Sequence, residues 1–239
     1  MKIALIGYGK MGKAIESVID SIPQHEVILR FDGANGEQLS LSQLAGADVA
    51  IEFSTPSTAI TNIYTCFEAG VPVVVGTTGW YKQLEEVSAR CEQENGTLFW
   101  ASNFSIGVNI FFAVNKYLAK VMNEQEQYDV TLEEVHHTEK LDSPSGTAIT
   151  LATGVLEEVD RKHVWVNQPA EGEEQLSIIS KREEGVPGTH LVTYKSGIDT
   201  IEISHVAHSR LGFAQGAVKA AEWVHGKTGV YTMSDMLEF

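Results

Sequence analysis

Cysteine and long apolar runs are scarce in this sequence, and each scarcity excludes a class of protein. Only two cysteines, Cys66 and Cys91, occur among the 239 residues. They lack the spacing of a metal site and fall in stretches typical of helices, so we expect buried free thiols in a reducing compartment. No run of about 18 apolar residues is present, and the first apolar run ends at Gly7, so neither a membrane span nor a signal peptide is expected. The sequence therefore predicts a cytoplasmic protein that has no membrane partner.

Basic residues are also scarce, with 17 Lys and Arg against 32 Asp and Glu and a net charge of −15. Nucleic acids bind clustered Lys and Arg, so no nucleic-acid partner is expected. An anionic substrate would need a local positive site to overcome the overall field. Hydrophobic residues make up 43% of the chain, which is enough to fill one large or two modest domains.

A glycine-rich motif follows the first predicted strand, residues 3–6. It consists of Gly7, Tyr8, Gly9, Lys10, Met11 and Gly12. This is the G-x-G-x-x-G pattern in a strand–turn–helix setting, where the glycines allow a tight turn, close approach of a pyrophosphate and close helix packing. The motif predicts a dinucleotide site.

The second predicted strand, residues 26–31, is followed by Asp32, whose carboxylate can accept hydrogen bonds from the adenosine ribose hydroxyls. No Lys or Arg follows in residues 33–37, while Arg30 and Lys10 are the cations nearest in sequence. A 2′-phosphate would therefore meet a carboxylate, and we predict that NADH is preferred over NADPH.

Strands and helices continue to alternate through the first hundred residues. Further strands are predicted at 48–53, 71–75 and 98–101, with helices starting at Pro56 and near Tyr81. This alternation predicts an α/β fold with a doubly wound parallel sheet of the Rossmann type. Ligands bind beyond the carboxyl ends of such strands, which makes candidates of Gly76, Thr77, Thr78, Ala101, Ser102, Asn103 and Phe104.

The second half of the chain has a different pattern. A long helix is predicted from Ser105 to Met122, and a last helix carries small apolar residues around Ala217. Strands are predicted at 128–135, 164–166, 176–180, 190–194 and 200–206, with a hairpin turn at 196–199. These predict an α+β domain with a mixed or mostly antiparallel sheet, on which subunits could join. The expected domains are 1–104 with 212–239, and 105–211.

Two histidines and a lysine occur together between the strand at 128–135 and the following helix. Adjacent strand residues point to opposite faces, so His136 and His137 cannot address one atom unless the strand ends there. Lys140 is a third proton carrier. Ser143 and Pro144 suit the N-cap and first position of a helix that runs to about residue 159, and its first turn could bind an anion. The simpler alternative is a strand end with surface histidines and an ordinary capped helix.

His205 and His208 are spaced as a possible metal pair. No cysteine or acidic cluster completes the set, and histidines satisfied by hydrogen bonds at a strand end are commoner, so no metal is expected.

The stretch His136-His137-x-x-Lys140-x-Asp142-x-Pro144-Ser145-Gly146-Thr147-Ala148 resembles the signature of the dihydrodipicolinate reductase family, and the likeness extends over nearly the whole chain. The resemblance implies a Rossmann-type domain and a substrate-binding, tetramerising domain. It implies NAD(P)H-dependent reduction of 4-hydroxy-tetrahydrodipicolinate, a cyclic dicarboxylate of the diaminopimelate and lysine pathway.

Roles for individual residues follow from the same resemblance. His136 and Lys140 would transfer protons, while His137, Ser145, Gly146 and Thr147 would bind substrate. The motif at 7–12 and Asp32 would hold the dinucleotide, with 76–78 and 101–104 beside its ribose and nicotinamide. Segments 187–190 and 209–217, which includes Arg210, also resemble the family. Departures are Thr138 and Glu139, where many members have a more basic pair, and Lys10, where Arg is common.

Two alternatives remain open. One is another Rossmann-fold dehydrogenase, although no cysteine nucleophile in a suitable loop supports semialdehyde chemistry. The other is a dinucleotide-sensing module without chemistry, which would leave the cluster of His136, His137 and Lys140 without a task.

Overall fold

The computed structural model describes residues 1–33, 36–209 and 211–239. It divides into two compact units, one made of Met1–Ile106 and Leu211–Phe239 and the other of Gly107–Arg210. Two features named above, part of the segment after Asp32 and Arg210 itself, lie outside the described residues. Within the described ranges, no helix combines the length and apolar character needed to cross a bilayer. The binding roles predicted for 1–104 with 212–239 and for 105–211 stay predictions.

A six-stranded parallel sheet forms the first unit. Its strands are β1 (Lys2–Ile6), β2 (Glu26–Phe31), β3 (Val49–Glu52), β4 (Val73–Val75), β5 (Thr97–Trp100) and, numbered in chain order, β11 (Gly229–Tyr231). The strand order is β11-β5-β4-β3-β1-β2. The predicted strands are all present, and the sequence interpretation missed only β11, a three-residue strand with little pattern of its own.

Helices cover both faces of this sheet. They are α1 (Lys10–Ile19), α2 (Pro56–Glu68), α3 (Leu84–Gln93) after a 3₁₀ turn at Tyr81–Gln83, α6 (Leu211–Val224) and α7 (Met233–Leu237). Ile3 and Leu5 of β1 pack into the core with α1 and α6, while Ala4 and Ile6 pack with α2 and α3. A strand buried on both faces is typical of a doubly wound sheet, so the predicted fold class is confirmed. Cys66 and Cys91 are buried free thiols, as predicted.

The second unit has a five-stranded mixed sheet. Its elements are α4 (Ile106–Met122, which starts at the last residue of the first unit's long segment), β6 (Asp129–His136), α5 (Gly146–Leu156), β7 (Val164–Val166), β8 (Gln175–Arg182), β9 (Gly188–Lys195) and β10 (Thr200–Ala207). The strand order is β10-β9-β6-β8-β7. Strand β6 is parallel to β8 and antiparallel to β9, which confirms the mixed sheet. The predicted hairpin turn closes with the amide of Ser196 donating to the carbonyl of Asp199 at 3.0 Å.

The start of α5 differs from the prediction. Ser145, with extended backbone, is the N-cap, and its hydroxyl oxygen accepts a hydrogen bond from the amide of Ala148 at 3.1 Å. The predicted start at Pro144 with Ser143 as cap was therefore wrong. The reason is that the chain stays extended through Ser145, whose amide is bound by a side chain from β6 rather than by the helix.

Helix α6 approaches the backbone of the first unit closely at one glycine. A Cβ at Gly216 would lie 1.8 Å from the carbonyl oxygen of Phe104, whereas a Cβ at Gly212 would have Ser105 Oγ as its nearest neighbour at 3.7 Å. Both glycines lie in the same helix, so they form a matched pair for testing this contact.

We expect Gly216→Ala to lower the free energy of unfolding by about 1–3 kcal/mol, because the backbone of Phe104 must move to make room. Gly212→Ala should change it by less than about 1 kcal/mol, and in the stabilising direction, because alanine favours the helix. Urea denaturation of the two variants measures the difference. Equal effects would show that the close approach at Gly216 is not a constraint.

Candidate active site

Strand β6 carries polar residues onto its buried face at its carboxyl end. Alternation places Val130, Leu132, Glu134 and His136 on one face. The first two belong to the apolar core of the second unit, and Glu134 and His136 are also buried, at 0% and 7% exposure. The strand ends at His136, so His137 begins the following loop.

The polar end of β6 continues across the sheet as a row. Glu134 is paired with Ser180 on β8 and with His190 on β9, and His190 is paired with His205 on β10. Directly paired residues have their side chains on the same face and in contact range. The sheet therefore places the Glu134 carboxylate between the Ser180 hydroxyl and the His190 imidazole, with His205 on the far side of His190.

Glu134 is the centre of this row. Its two carboxylate oxygens accept from the amide of Ser145 at 3.1 and 3.2 Å, and Oε1 accepts from the hydroxyl of Ser180 at 2.7 Å. Its Oε2 lies 3.4 Å from Nδ1 of His136 and 3.8 Å from Nε2 of His190. One buried side chain thus touches β6, β8, β9 and the start of α5.

These contacts determine the charge state of Glu134. Burial alone raises the pKa of its carboxyl, but the hydrogen bonds from Ser145 and Ser180, together with the nearby His136, lower it below its usual value. The side chain is therefore an ionised carboxylate at neutral pH, although it is shielded from water.

The two imidazoles beside it are held mainly neutral. Burial lowers the pKa of His136, and the Glu134 carboxylate opposes that effect. Burial lowers the pKa of His190 to about 4, with a further contribution from His136. The two rings are 5.0 Å apart and nearly perpendicular, and His190 Nε2 is 3.2 Å from the hydroxyl of Ser145.

Gly188 of β9 leaves room for the His136 ring. A Cβ at this position would lie 3.2 Å from Nε2 of His136, which is tighter than an ordinary contact. The His136 ring therefore packs against the backbone of Gly188, in the place that a side chain would otherwise take.

The loop after β6 is folded around Asp142. Lys140 Nζ donates to both of its carboxylate oxygens, at 2.7 and 2.8 Å, and Arg182 of β8 donates to its carbonyl at 2.7 Å. Lys140 is close enough to His136 to lower the pKa of that imidazole further. His137 is half-buried. The structure thus brings His136 and Lys140 into one neighbourhood, together with Ser145 at the start of α5.

The side chains of Glu134, His136 and His190 could in principle hold a metal ion, because one ligand atom from each lies within 4.8 Å of the others. The surroundings do not favour a cation. The carboxylate already accepts from two donors, and a guanidinium nitrogen of Arg182 lies 3.7 Å from its Oε1. A carboxylate that is already hydrogen-bonded and lies beside an imidazole suits proton transfer better than metal binding.

A cavity of about 560 Å³ opens at the carboxyl ends of β1, β2 and β3 in the first unit. Its lining includes Gly7, Tyr8, Gly9 and Asp32 from the predicted cofactor residues. Further lining residues follow β3 and form the first turns of α2, namely Phe53, Ser54, Thr55, Ser57, Thr58, Thr61 and Asn62. The end of β2 and the segment after it contribute Phe31, Gly33, Glu37, Gln38 and Leu39.

The glycine loop fits a dinucleotide. Gly7 has φ +89°, and a Cβ there would lie 2.1 Å from the carbonyl oxygen of Phe53; a Cβ at Gly12 would lie 2.3 Å from the carbonyl oxygen of Gly7. A Cβ at Gly9, the N-cap of α1, would meet no atom of the described chain within 4 Å. The backbone at the start of α1 is therefore open to the cavity, where a pyrophosphate can approach the helix N-terminus.

The remaining predicted cofactor residues have varied positions. Lys10, Met11 and Gly12 lie in α1, and a Cβ at Gly76 would lie 2.1 Å from the Phe53 ring. Thr77 accepts a hydrogen bond from the amide of the cavity residue Ser54 at 2.8 Å.

The predicted residues after β5 differ in exposure. Thr78, which follows β4, and Ser102 are exposed, whereas Ala101 is buried. Asn103 Oδ1 accepts from the amide of Ser105 at 2.9 Å. Phe104 is a core residue between Phe53 and Phe99. The cavity residues Phe53 and Ser54 thus contact predicted cofactor residues outside the cavity lining: Phe53 lies beside Gly76 and Phe104, and Ser54 is hydrogen-bonded to Thr77.

The charges around the adenosine end of the cavity are mainly negative. Asp32 and Glu37 line it, whereas Arg30 is paired with Glu16 of α1, which also accepts from the hydroxyl of Tyr8. Neither Lys nor Arg occurs among the described lining residues. Arg30, the cation nearest to Asp32 in sequence, is thus paired with Glu16.

The sequence interpretation gave no role to Glu134, Ser180, His190 or Arg182. For Glu134 a signal was present, since it keeps the alternation of Val130 and Leu132 and must therefore share their buried face. His190 lies in the segment 187–190 that resembles the family, although no role was given to it. Ser180 and Arg182 are brought in by strand pairing over long sequence separations, for which the sequence carries no comparable signal.

Comparison with known proteins follows the same division of the chain. A model of the dihydrodipicolinate reductase N-terminus matches residues 1–104, and a model of its C-terminus matches residues 107–237. The chain belongs to the dihydrodipicolinate reductase family. The 4-hydroxy-tetrahydrodipicolinate reductase of Christiangramia forsetii is 49% identical over 237 residues, covering 99% of this chain and 98% of that protein. The enzyme of the same name from Neisseria gonorrhoeae is 31% identical over 264 aligned residues, with 99% and 97% coverage.

A solved structure shows the same fold. The dipicolinate-bound dihydrodipicolinate reductase from Paenisporosarcina sp. TG-14 aligns with a TM-score of 0.80 at 21% identity, over 99% of both chains. These matches confirm the family that the sequence resembles. The protein is therefore an oxidoreductase of diaminopimelate and lysine biosynthesis. Enzymes of this family use NAD(P)H and act on dihydrodipicolinate-type substrates. The roles of individual residues stay predictions.

The buried His190 predicts a specific acid sensitivity. Its pKa of about 4 in the folded protein lies below the usual 6.5 of an unfolded histidine, so the unfolded chain binds the proton first. The contribution of His190 to the free energy of unfolding is therefore fully present above about pH 7 and is lost as the pH falls toward 4. We expect wild type to lose about 1–2 kcal/mol more than His190→Asn between about pH 7.5 and pH 5. Urea denaturation at the two pH values measures this, and equal losses would contradict the buried neutral imidazole.

Proposed function

We propose that this protein reduces 4-hydroxy-tetrahydrodipicolinate to tetrahydrodipicolinate with NADH or NADPH, using His136 and Lys140 for proton transfer. The single observation that carries the proposal is the pairing of the imidazole of His136 with the buried carboxylate of Glu134, beside the Ser145-capped start of α5. Proton transfer and anion binding are the two tasks that a cyclic dicarboxylate substrate requires of the protein.

The first unit, with the predicted bounds 1–104 and 212–239, binds the dinucleotide. NAD(P)H, when bound, supplies the hydride. The glycine loop and the start of α1 hold the pyrophosphate, and Asp32 accepts from the adenosine ribose. Residues 76–78 and 101–104 bind the ribose and nicotinamide end. The fit of the loop rests on the open backbone at Gly9 and the cavity in front of it.

The second unit, predicted as 105–211, binds the substrate and forms a homotetramer. The amides of Gly146 and Thr147 lie at the positive end of the α5 dipole, which favours a carboxylate there. Lys140 and His137 supply further polar contacts, and Ser145 fixes the turn through its cap. We place the protein in the cytoplasm.

His136 acts as the general acid. Reduction of the conjugated ring leaves negative charge on its nitrogen system, and a proton must be delivered to complete the product. The imidazolium of His136 can donate from Nε2, the ring nitrogen that does not face Glu134. Lys140 places a positive charge beside a substrate carboxylate and assists the transfer.

A coupled assay tests the proposed reaction. Pyruvate and aspartate semialdehyde are condensed by the synthase that precedes this step, and oxidation of the nicotinamide is followed by absorbance after this protein is added. Oxidation that depends on the synthase is expected. Binding of NADH without any oxidation would favour a dinucleotide sensor instead.

We expect His136→Gln to lower kcat by about 100-fold or more, in the range for losing general acid catalysis, with little change in the Kd for NADH. The exposed His163→Gln is a control in the same unit. A near-normal kcat for His136→Gln would exclude this residue as the acid.

Lys140→Ala should raise KM for the substrate and lower kcat together, because the lysine contacts a carboxylate both before and during the reaction. Steady-state kinetics with varied substrate separate the two constants. A change confined to NADH binding would show that Lys140 has been placed at the wrong ligand.

Preference for NADH follows from the charges of the cavity. Asp32 and Glu37 would repel a 2′-phosphate, and Arg30 is held by Glu16. We expect kcat/KM to be higher for NADH than for NADPH, and Asp32→Ala to lower the value for NADH by about tenfold through loss of the ribose hydrogen bonds. Glu92→Ala, an exposed position on α3, serves as control. A tenfold preference for NADPH in the wild type would overturn this prediction.

A further inference from the structure

The carboxylate of Glu134 is the feature whose burial most needs an explanation. An ionised carboxylate away from water is costly unless it is well hydrogen-bonded, and a strand position between Leu132 and His136 would be filled more cheaply by an apolar residue. The three hydrogen bonds from Ser145 and Ser180 keep it charged. Its charge must therefore serve something that an apolar side chain could not.

The first group it serves is the ring of His136. The Nδ1 atom of this ring is shielded from solvent, and no hydrogen bond to it occurs among the described residues. The Glu134 oxygen 3.4 Å away is the acceptor that a proton on Nδ1 would meet. A carboxylate on the Nδ1 side fixes the tautomer and orientation of an imidazole and stabilises its charged form, so that Nε2 is the nitrogen that exchanges protons with a ligand.

The second group is the turn that starts α5. Both oxygens of Glu134 accept from the amide of Ser145, and the hydroxyl of the same serine caps the helix. The carboxylate thus fixes where the first turn begins, and with it the amides of Gly146 and Thr147.

We propose that Glu134 is a positioning residue for the reaction: its Oε2 holds a proton on Nδ1 of His136, and both of its oxygens hold the amide of Ser145, so that one buried charge aligns the proton donor with the carboxylate-binding turn. The inference rests on the proposed role of His136 as general acid. In the step itself, the proton leaves Nε2 for the substrate, and the ring remains neutral with its other proton on Nδ1 facing Glu134. Solvent then restores the proton on Nε2.

The groups facing His136 determine the expected pH dependence. Glu134 favours the imidazolium, while burial, Lys140 and Arg182 disfavour it, and Asp142 opposes the two cations. His190 is the other imidazole in contact. An acid of this kind is active when protonated, so kcat falls as pH rises through its pKa. Without the charge of Glu134 the fall occurs at lower pH.

The test compares Glu134→Gln with Glu133→Gln. Glu133 is the neighbouring strand residue on the opposite face and pairs with Lys181 at 2.7 Å, so it is a matched control. For Glu134→Gln we expect kcat to fall by about 10- to 100-fold. The pH at which kcat declines on the alkaline side (the pH limb) should move down by about one unit. KM for the substrate should rise, and the Kd for NADH should not change. Glu134→Asp, which keeps the charge, should restore part of the pH limb, and Glu133→Gln should behave as wild type.

Three outcomes separate the possibilities. A fall in kcat that is the same at every pH, with no movement of the limb, would reduce Glu134 to a structural residue and overturn the inference. The inference also fails if the kcat of Glu134→Gln stays within about twofold of the wild-type value, since that is far below the loss expected for a positioning residue. If His136→Gln itself has a normal kcat, the proposed function fails first, and the two failures are thus distinguishable.

A measurement on the unmodified protein covers the case in which Glu134→Gln does not fold. Nitrogen NMR of isotope-labelled histidine reports which ring nitrogen carries the proton, and the signal of His136 is assigned by its loss in His136→Gln. At high pH we expect the neutral ring to carry its proton on Nδ1. A neutral ring protonated on Nε2 would overturn the inference without any Glu134 variant.

Discussion

The buried negative charge of Glu134 is the constraint on which the arrangement of the second unit depends. It lies on the same face as the apolar core residues of β6, and it stays ionised only because donors from Ser145 and Ser180 reach it. These two contacts link β8 and the start of α5 to β6. The proposed catalytic geometry depends on this carboxylate, because Oε2 faces Nδ1 of His136 and both oxygens accept from the amide at the start of α5.

The first unit combines a buried parallel sheet with a glycine loop at the cavity. Its central strands β1, β3 and β4 are buried on both faces, and the glycine loop at the end of β1 leaves bare backbone where a phosphate can approach. This unit also has a fully buried carboxyl, Glu52 at the end of β3, whose Oε1 accepts hydrogen bonds from the cavity residues Ser54 and Asn62. Burial raises the pKa of this carboxyl. The proposed preference for NADH rests on where the surface charges lie, with Asp32 and Glu37 at the cavity and Arg30 paired with Glu16.

Much of the fold could be predicted because its signals are local. The G-x-G-x-x-G loop, the alternation of strands with helices and the hairpin at 196–199 each depend on neighbouring residues, and the structure contains all of them. The strand β11 escaped prediction because three residues beginning with Gly229 carry too little pattern. The start of α5 was misplaced at Pro144 because Ser143 and Ser145 could each cap the helix. Ser145 is the cap in the structure, where its amide is hydrogen-bonded to Glu134 of β6.

The centre of the site could be predicted only in part. His136, Lys140 and Ser145 were found through their grouping in sequence, and family resemblance gave them roles. Glu134 lay in the same stretch and was passed over, because a glutamate in a strand is ordinarily exposed to solvent. Its true position follows from strict alternation with Leu132, whereas the contributions of Ser180 and His190 depend on pairings between strands that are distant in sequence. The central proposal is that the end of β6 and the start of α5 form one site for a dicarboxylate, and a crystal structure of this protein with NADH and dipicolinate tests it most directly. We expect one carboxylate of dipicolinate within hydrogen-bond distance of the amides of Gly146 and Thr147, with the ring facing Nε2 of His136. Dipicolinate bound away from the start of α5, with His136 outside hydrogen-bond reach of the ligand, would contradict the proposal.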